Sequence, residues 1–217
     1  MSRAVNWINK AQDGLQHFNV FDFLAPLAFR LYLAPIFIAV GWHKLNHFSD
    51  IVDWFRYSLE LPMPELMAFL ATSAELLGGL ALLAGVAVRW AVIPLMITML
   101  VAAVSAHWDN GWFAIAPSDA DSSIANVFAV IGFPGAEQSL QNSMEVSNRL
   151  EAARGILGEH GNYDWLTEKG AFVVLNNGIE FSVTYFIMLM SLFFTGAGRF
   201  VSLDYWIGNR FRAGSDD

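Results

Sequence analysis

Four long apolar runs dominate this 217-residue chain and decide what it can fold into. Phe23 to Trp42 contains one charge (Arg30), Leu66 to Val88 one (Glu75), Trp90 to His107 none, and Ile179 to Ala197 one (Glu180). A helix needs about 20 apolar residues to cross roughly 30 Å of bilayer hydrocarbon, and each run comes close to that. Because lipid offers the backbone no hydrogen bonds, a crossing run must satisfy its own and so becomes helical. Only Arg89 separates the second run from the third, which makes them a tight antiparallel hairpin. The expected fold is therefore an all-α integral membrane protein, a four-transmembrane-helix bundle with an N-terminal interfacial amphipathic helix and an extramembrane helical insertion. Its expected parts are an interfacial segment (1–22), helices one to three (23–107), an external acidic segment (108–176), helix four (177–198) and a cytoplasmic tail (199–217).

Composition removes the other classes. Hydrophobic residues make up 55% and charged residues 15%, against about 25% charged in an ordinary globular domain. Disorder, collagen and coiled coil are excluded. A net charge of −8 excludes a basic nucleic-acid binder, whose affinity comes from neutralising phosphates. With no cysteine there is no disulfide, iron–sulfur cluster, thiolate zinc site or cysteine nucleophile. The sequence also lacks a Walker loop, a dinucleotide fingerprint, a nucleophile elbow and a paired-histidine haem site within the spans. No residue set reads as catalytic.

The first 22 residues lack the apolar core of a cleaved leader, but Ala4, Ile8, Ala11, Leu15 and Phe18 form a helical stripe. Such a stripe suits a helix lying in the membrane interface, and equally a plain surface helix. Basic residues near span ends set orientation. Arg3, Lys10, Arg89, Arg199, Arg210 and Arg212 fall on one side; Lys44 and Arg56 fall on the other, with Arg149, Arg154 and Lys169 in a long segment that counts for little. Both termini are therefore expected in the cytoplasm of a bacterial cell, with the chain in its inner membrane. The segment from Trp108 to Asn176 then lies outside, carrying nine acids against three basic residues. Within it Gln138 to Leu157 reads as an amphipathic helix ended by Gly158, Gly161 and Asn162. Its acidic surface is a solvated face, or else a docking surface for a basic partner or a cation attractor.

Candidate functional residues lie in the spans. Ala71, Ala74, Gly78, Ala81 and Gly85 recur at three and four, a stripe of small side chains that lets helices approach closely in lipid. Glu75 lies beside that stripe and is expected to point into the bundle. A buried carboxylate is costly unless neutral or paired. Arg30, roughly 10 Å above the cytoplasmic end of the first span, could reach toward Glu75 at roughly 20 Å. Glu180 falls at a depth similar to Glu75, giving an expected polar layer of Arg30, Glu75 and Glu180. Its duller reading is a structural ion pair. His43 and His47 stand four apart where the first span ends, and His107 ends the third. Three imidazoles on one side suit a copper or zinc ion, or simply anchor helices at the interface. Met96, Met99, Met188 and Met190 read as apolar filling rather than as soft copper ligands.

The run from Arg30 to Lys44, the run Ala74-Glu75-Leu76-Leu77-Gly78-Gly79-Leu80-Ala81-Leu82-Leu83-Ala84-Gly85, and Arg89 resemble the DoxX family of small four-helix membrane proteins. The family's early arginine falls on Arg30, its Gly-x-x-Lys on Gly41 and Lys44, and its acidic-Leu-Leu-Gly-Gly on Glu75 with Gly78 and Gly79. Gly196-x-Gly198 and Ser202-x-Asp204 are similar to its closing pattern. The long segment between helices three and four departs from a minimal member. The resemblance implies a polar core of Arg30, Lys44, Glu75 and Arg89. It also implies links to quinone-coupled sulfur oxidation, redox-stress assemblies or copper-peptide systems.

The expected function is an accessory subunit of a quinone-linked redox or metal-handling system, with a quinone or a copper or zinc ion as candidate cofactor. The expected partners are the bilayer, a membrane or periplasmic protein, or a second copy of the chain. Two alternatives stand beside it: a non-catalytic scaffold recruiting a soluble partner through the external segment, and a small transporter.

Overall fold

In the computed structural model the described residues are 5, 7, 16–119, 121 and 123–213. Among them every regular element is helical, with one isolated antiparallel bridge between Ile115 and Leu175. The chain divides into two compact units, one of residues 1–106 with 182–217 and one of residues 107–181.

The first unit holds the membrane helices. After a short 3-10 turn, His17–Phe21, come α1 (Leu24–Asn46), α2 (Phe48–Tyr57), α3 (Pro64–Ala84) and α4 (Val88–Ala102). α4 runs on through a π turn, Ala103–His107, and a 3-10 turn, Trp108–Asn110. Three helical stretches are long and apolar enough to span: Phe18–Asn46, Pro64–Ala84 and Val88–Asn110. Where a fourth span was expected stands a shorter apolar helix, α8 (Glu180–Thr195), of 16 residues. At 1.5 Å per residue it covers about 24 Å, a few Å short of the hydrocarbon thickness, a mismatch of the size that local bilayer thinning absorbs. It stops because Gly196 and Gly198 take positive φ, +78° and +85°, a conformation that favours glycine and ends helices.

The core is made where these helices converge. Leu33, Ala34 and Phe37 of α1 meet Leu82 of α3, Val88, Val92, Leu95 and Met99 of α4, and Leu189 and Leu192 of α8. Their spacings of three and four place each set on one helix face. Opposite faces carry Leu77, Trp90 and Phe194, 64%, 77% and 71% exposed, as helices in a lipid solvent require. α2 is amphipathic: Val52 and Phe55 pack with Ala68 of α3, flanked by Phe48, Ile51 and Ala71.

Two turns hold the hairpin of α3 and α4. Pro64 starts α3 at the position where a missing N–H costs nothing, and Gly85 closes it with φ +67°. The first N–H groups of α4 are then capped from far along the chain. Ala87 N and Val88 N donate to Asp204 Oδ1 and Oδ2 at 2.6 and 3.0 Å. Asp204 begins α9 (Leu203–Ala213), and its own N–H donates to Gly85 O at 2.9 Å.

The second unit contains α5 (Ala125–Val130), α6 (Ala136–His160) and α7 (Tyr163–Thr167). α6 matches the expected external helix but is longer, with 25 residues. It passes through Gly158, expected as a stop, and is capped by Gly161, whose N–H bonds Leu157 O. Of the expected N-terminal stripe, Ala4, Ile8, Ala11 and Leu15 lie outside the described residues.

Candidate functional site

α1 and α3 approach each other at glycines. A Cβ on Gly41 would lie 2.6 Å from Leu76 N, and one on Gly79 would lie 2.9 Å from Ile38 N. No side chain fits where two backbones meet so closely. Gly78 in turn faces Leu95 of α4. The small residues therefore do set the packing, but the tightest points are Gly41, Gly78 and Gly79; Ala71, Ala74 and Ala81 are only half-buried. Gly85 packs against the Arg30 guanidinium.

That close approach sets the register that puts Lys44, one turn beyond Gly41, over Glu75. Lys44 Nζ donates to Glu75 Oε1 at 2.8 Å. The lysine side chain is 15% exposed and the carboxylate 3%. Glu75 Oε2 has no hydrogen-bond partner among the described residues, and neither has Thr72 Oγ1, one turn earlier on the same helix. Each buried polar atom left this way costs about 1–3 kcal/mol, and a buried ion pair compensates its desolvation only when the remaining lone pairs are bonded. Chemically, this cluster can accept a hydrogen bond or a proton at Oε2 and offer an ammonium donor at Lys44. Along the same pair of helices runs an apolar groove of about 420 Å³, lined by Leu31, Pro35, Ile38, Ala39, Trp42 and Leu83. Its volume is in the range of small-molecule sites.

Arg30 does not join this cluster, which corrects the expected Arg30–Glu75 pairing. The helix register carries it to the end of α3, where it is 1% exposed. Its Nε donates to Leu82 O at 2.7 Å and its Nη2 to Leu83 O at 3.1 Å. Nη1 donates to Ala197 O at 2.7 Å and Val201 O at 3.3 Å. Leu82 lies seven residues from Glu75, about 10 Å along the helix. Arg30 thus satisfies the terminal carbonyls of α3, where a cation also suits the helix dipole. Arg89 does the same for α8, donating from Nη2 to Phe194 O at 3.1 Å. Both arginines tie helix ends together.

The remaining candidates have partners of their own. Glu180 Oε2 accepts from Ala114 N at 2.9 Å within the second unit. Of the three expected imidazoles, His43 and His47 belong to the first unit and His107 to the second. His43 and His47 do stack, with ring centroids 4.4 Å apart. However, His47 Nδ1 is engaged with His43 O at 3.0 Å, and His107 Nδ1 with Asn177 O at 2.9 Å. Among the described residues no three His, Asp or Glu side chains are grouped to hold a metal ion. Met99 belongs to the core, with Met96 and Met188 packed against it. The sequence analysis passed over Thr72, although a Thr one turn from a buried acid was a readable signal, and it noted Asp204 only within the closing Ser202-x-Asp204 pattern, without its capping role.

Residues 25–108 match the model of the DoxX family. That stretch is similar to a DoxX domain. It covers Pro64–Ala84 in full, most of Phe18–Asn46 and Val88–Asn110, and the residues Arg30, Gly41, Lys44, Thr72, Glu75 and Arg89. The carbonyls of Ala197 and Val201 and the Asp204 carboxylate, which bind the domain's Arg30 and α4 cap, come from beyond the match. No curated protein and no solved structure matches the chain.

Proposed function

We propose that the DoxX-like domain is the membrane-embedded, ligand-holding part of a redox system, taking a lipid-soluble quinol or quinone. Glu75, Thr72 and Lys44 hold the polar head, and the apolar groove between α1 and α3 takes the tail. The observation that carries this reading is Glu75 Oε2, buried and unpartnered beside an equally unpartnered Thr72 hydroxyl. The donor set fits such a ligand: a quinol hydroxyl donates where Oε2 and Thr72 Oγ1 need a donor, and a quinone carbonyl accepts from the Lys44 ammonium. When bound, a quinol supplies two electrons and two protons. The chain's own part is to orient the head, exclude water and hold a proton at Oε2. In this reading the domain acts as an accessory to a redox partner that takes the electrons. The distribution of basic residues supports a bacterial inner-membrane location with both termini in the cytoplasm.

The test is a binding titration of purified protein in lipid nanodiscs with a short-tailed benzoquinol, followed by tryptophan fluorescence from Trp42 and its neighbours. Wild type should bind saturably. Glu75→Gln and Thr72→Val should each weaken binding, the first by about tenfold or more, as expected for a hydrogen bond to a charged group. Equal binding by wild type and both variants would refute the reading.

A scaffold role has one observation behind it. Glu137, Glu145, Glu151 and Glu159 are all exposed along α6, and they offer a basic soluble partner an acidic face. Charge reversal of these four should abolish a scaffold's cellular function while leaving quinol binding intact. Glu75→Gln should do the opposite.

A further inference from the structure

The last helix has an apolar face that the protein does not cover. In α9, Leu203, Trp206, Ile207 and Phe211 form one stripe at spacings of three and four, and they are 48%, 60%, 46% and 78% exposed. The side of α9 turned to the rest of its unit carries Tyr205 and Gly208 instead, both half-buried. Tyr205 packs its ring 5.3 Å from that of Phe200. Asn209 lies opposite Ile207 and is exposed. A helix bathed in water would not present four large apolar side chains together.

The position of α9 tells what covers them. Its first turn is latched to the α3–α4 hairpin by the bonds of Asp204 to Gly85 O, Ala87 N and Val88 N. Arg30 holds Val201 O just before it. The helix therefore starts where two membrane-crossing helices turn, at the boundary between hydrocarbon and headgroups. The cation on this face is Arg210, exposed within the stripe one turn beyond Trp206 and Ile207, where its long stem can lie along apolar surface and its head reach water; Arg199, just before the helix, is paired with Asp22 at 2.7 Å.

We propose that α9 is a lipid-surface helix: the stripe from Leu203 to Phe211 seats in the acyl boundary of the leaflet where α3 and α4 turn, and Arg210, on the same face, reaches up to bind anionic headgroups. An apolar face beside cations is the pattern of interfacial helices, whose binding combines buried apolar area with attraction to acidic lipid. Because α9 is tied to the cap of α4 and to Arg30, lipid held by it steadies the hairpin end of the bundle.

The chain has no cysteine, so Ile207→Cys, Phe211→Cys and Asn209→Cys each give a single site for a nitroxide label on the full-length protein. Labels are read in nanodiscs of phosphatidylcholine with and without phosphatidylglycerol, by collision with oxygen and with a water-soluble nickel chelate. Labels at 207 and 211 should meet oxygen and be shielded several-fold from nickel, while the label at 209 shows the reverse. Phosphatidylglycerol should deepen 207 and 211, and Arg210→Gln should abolish that response. Nickel access at 207 and 211 equal to that at 209 would overturn the proposal. So would label–label broadening that disappears on dilution with unlabelled protein, since a second copy would then cover the stripe. Depth indifferent to phosphatidylglycerol would overturn the headgroup contact.

Discussion

Without Lys44, neither oxygen of Glu75 would keep a bond, and the carboxylate would stay buried. Lys44→Met should therefore destabilise the protein by about 3–5 kcal/mol, the usual cost of breaking a buried pair from one side. The double variant Lys44→Met/Glu75→Leu should recover most of that loss, since apolar replacement of both partners removes the desolvated charges together. Thermal unfolding in detergent checks this: a double variant no more stable than Lys44→Met would show that the pair is not what the single change disturbs. Arg30→Lys should cost at least about 2 kcal/mol in the same assay, because an ammonium cannot reproduce a planar fork that serves four carbonyls. The burial of Glu75 was legible from the small residues around it. Its partner Lys44 was named to the polar core only through the family resemblance, not as the counter-ion. Arg30 was the obvious counter-ion by charge and reach, but the register of α1 on α3 is fixed by Gly41 and Gly79 touching backbone. That contact appears only when both helices are placed.

Helix packing makes a sharper contrast. Gly41→Ala puts a Cβ 2.6 Å from Leu76 N, so α1 and α3 must separate, at about 1–3 kcal/mol. Gly155→Ala, in exposed α6 with nothing within 4 Å of the added Cβ, should instead stabilise by up to about 1 kcal/mol. Unfolding curves of the two variants should move in opposite directions; equal shifts would contradict the close approach. Asp204→Ala removes the cap of α4 and should cost about 0.5–2 kcal/mol. At this scale the apolar runs located the three long helices from composition alone. The length of α8 was overstated because Gly196 and Gly198 were read as part of a span, although glycines after an apolar run are a stop signal. The pattern Phe48, Ile51, Val52, Phe55 also marks α2 at helical spacing, hidden beside the much stronger neighbouring span.

For the whole molecule, a cysteine-free chain lets the topology be read directly. Glu151→Cys in the 107–181 unit should react with a membrane-impermeant maleimide in intact cells. Asn209→Cys should react only after lysis. Labelling of both from outside would reverse or break the proposed arrangement of the termini. What sequence could not supply at this scale is the use of residues 196–204. The carbonyls of Ala197 and Val201 that serve Arg30, and the carboxylate of Asp204 that caps α4, lie more than a hundred residues from their partners. No local pattern announces them. The central claim remains that the buried Glu75 oxygen is the ligand's anchor. Infrared difference spectra on adding benzoquinol to wild type and to Glu75→Gln test it most directly. The account predicts a ligand-induced change in a side-chain carboxyl band that is absent from Glu75→Gln. Identical carboxyl-region spectra from the two proteins would contradict it.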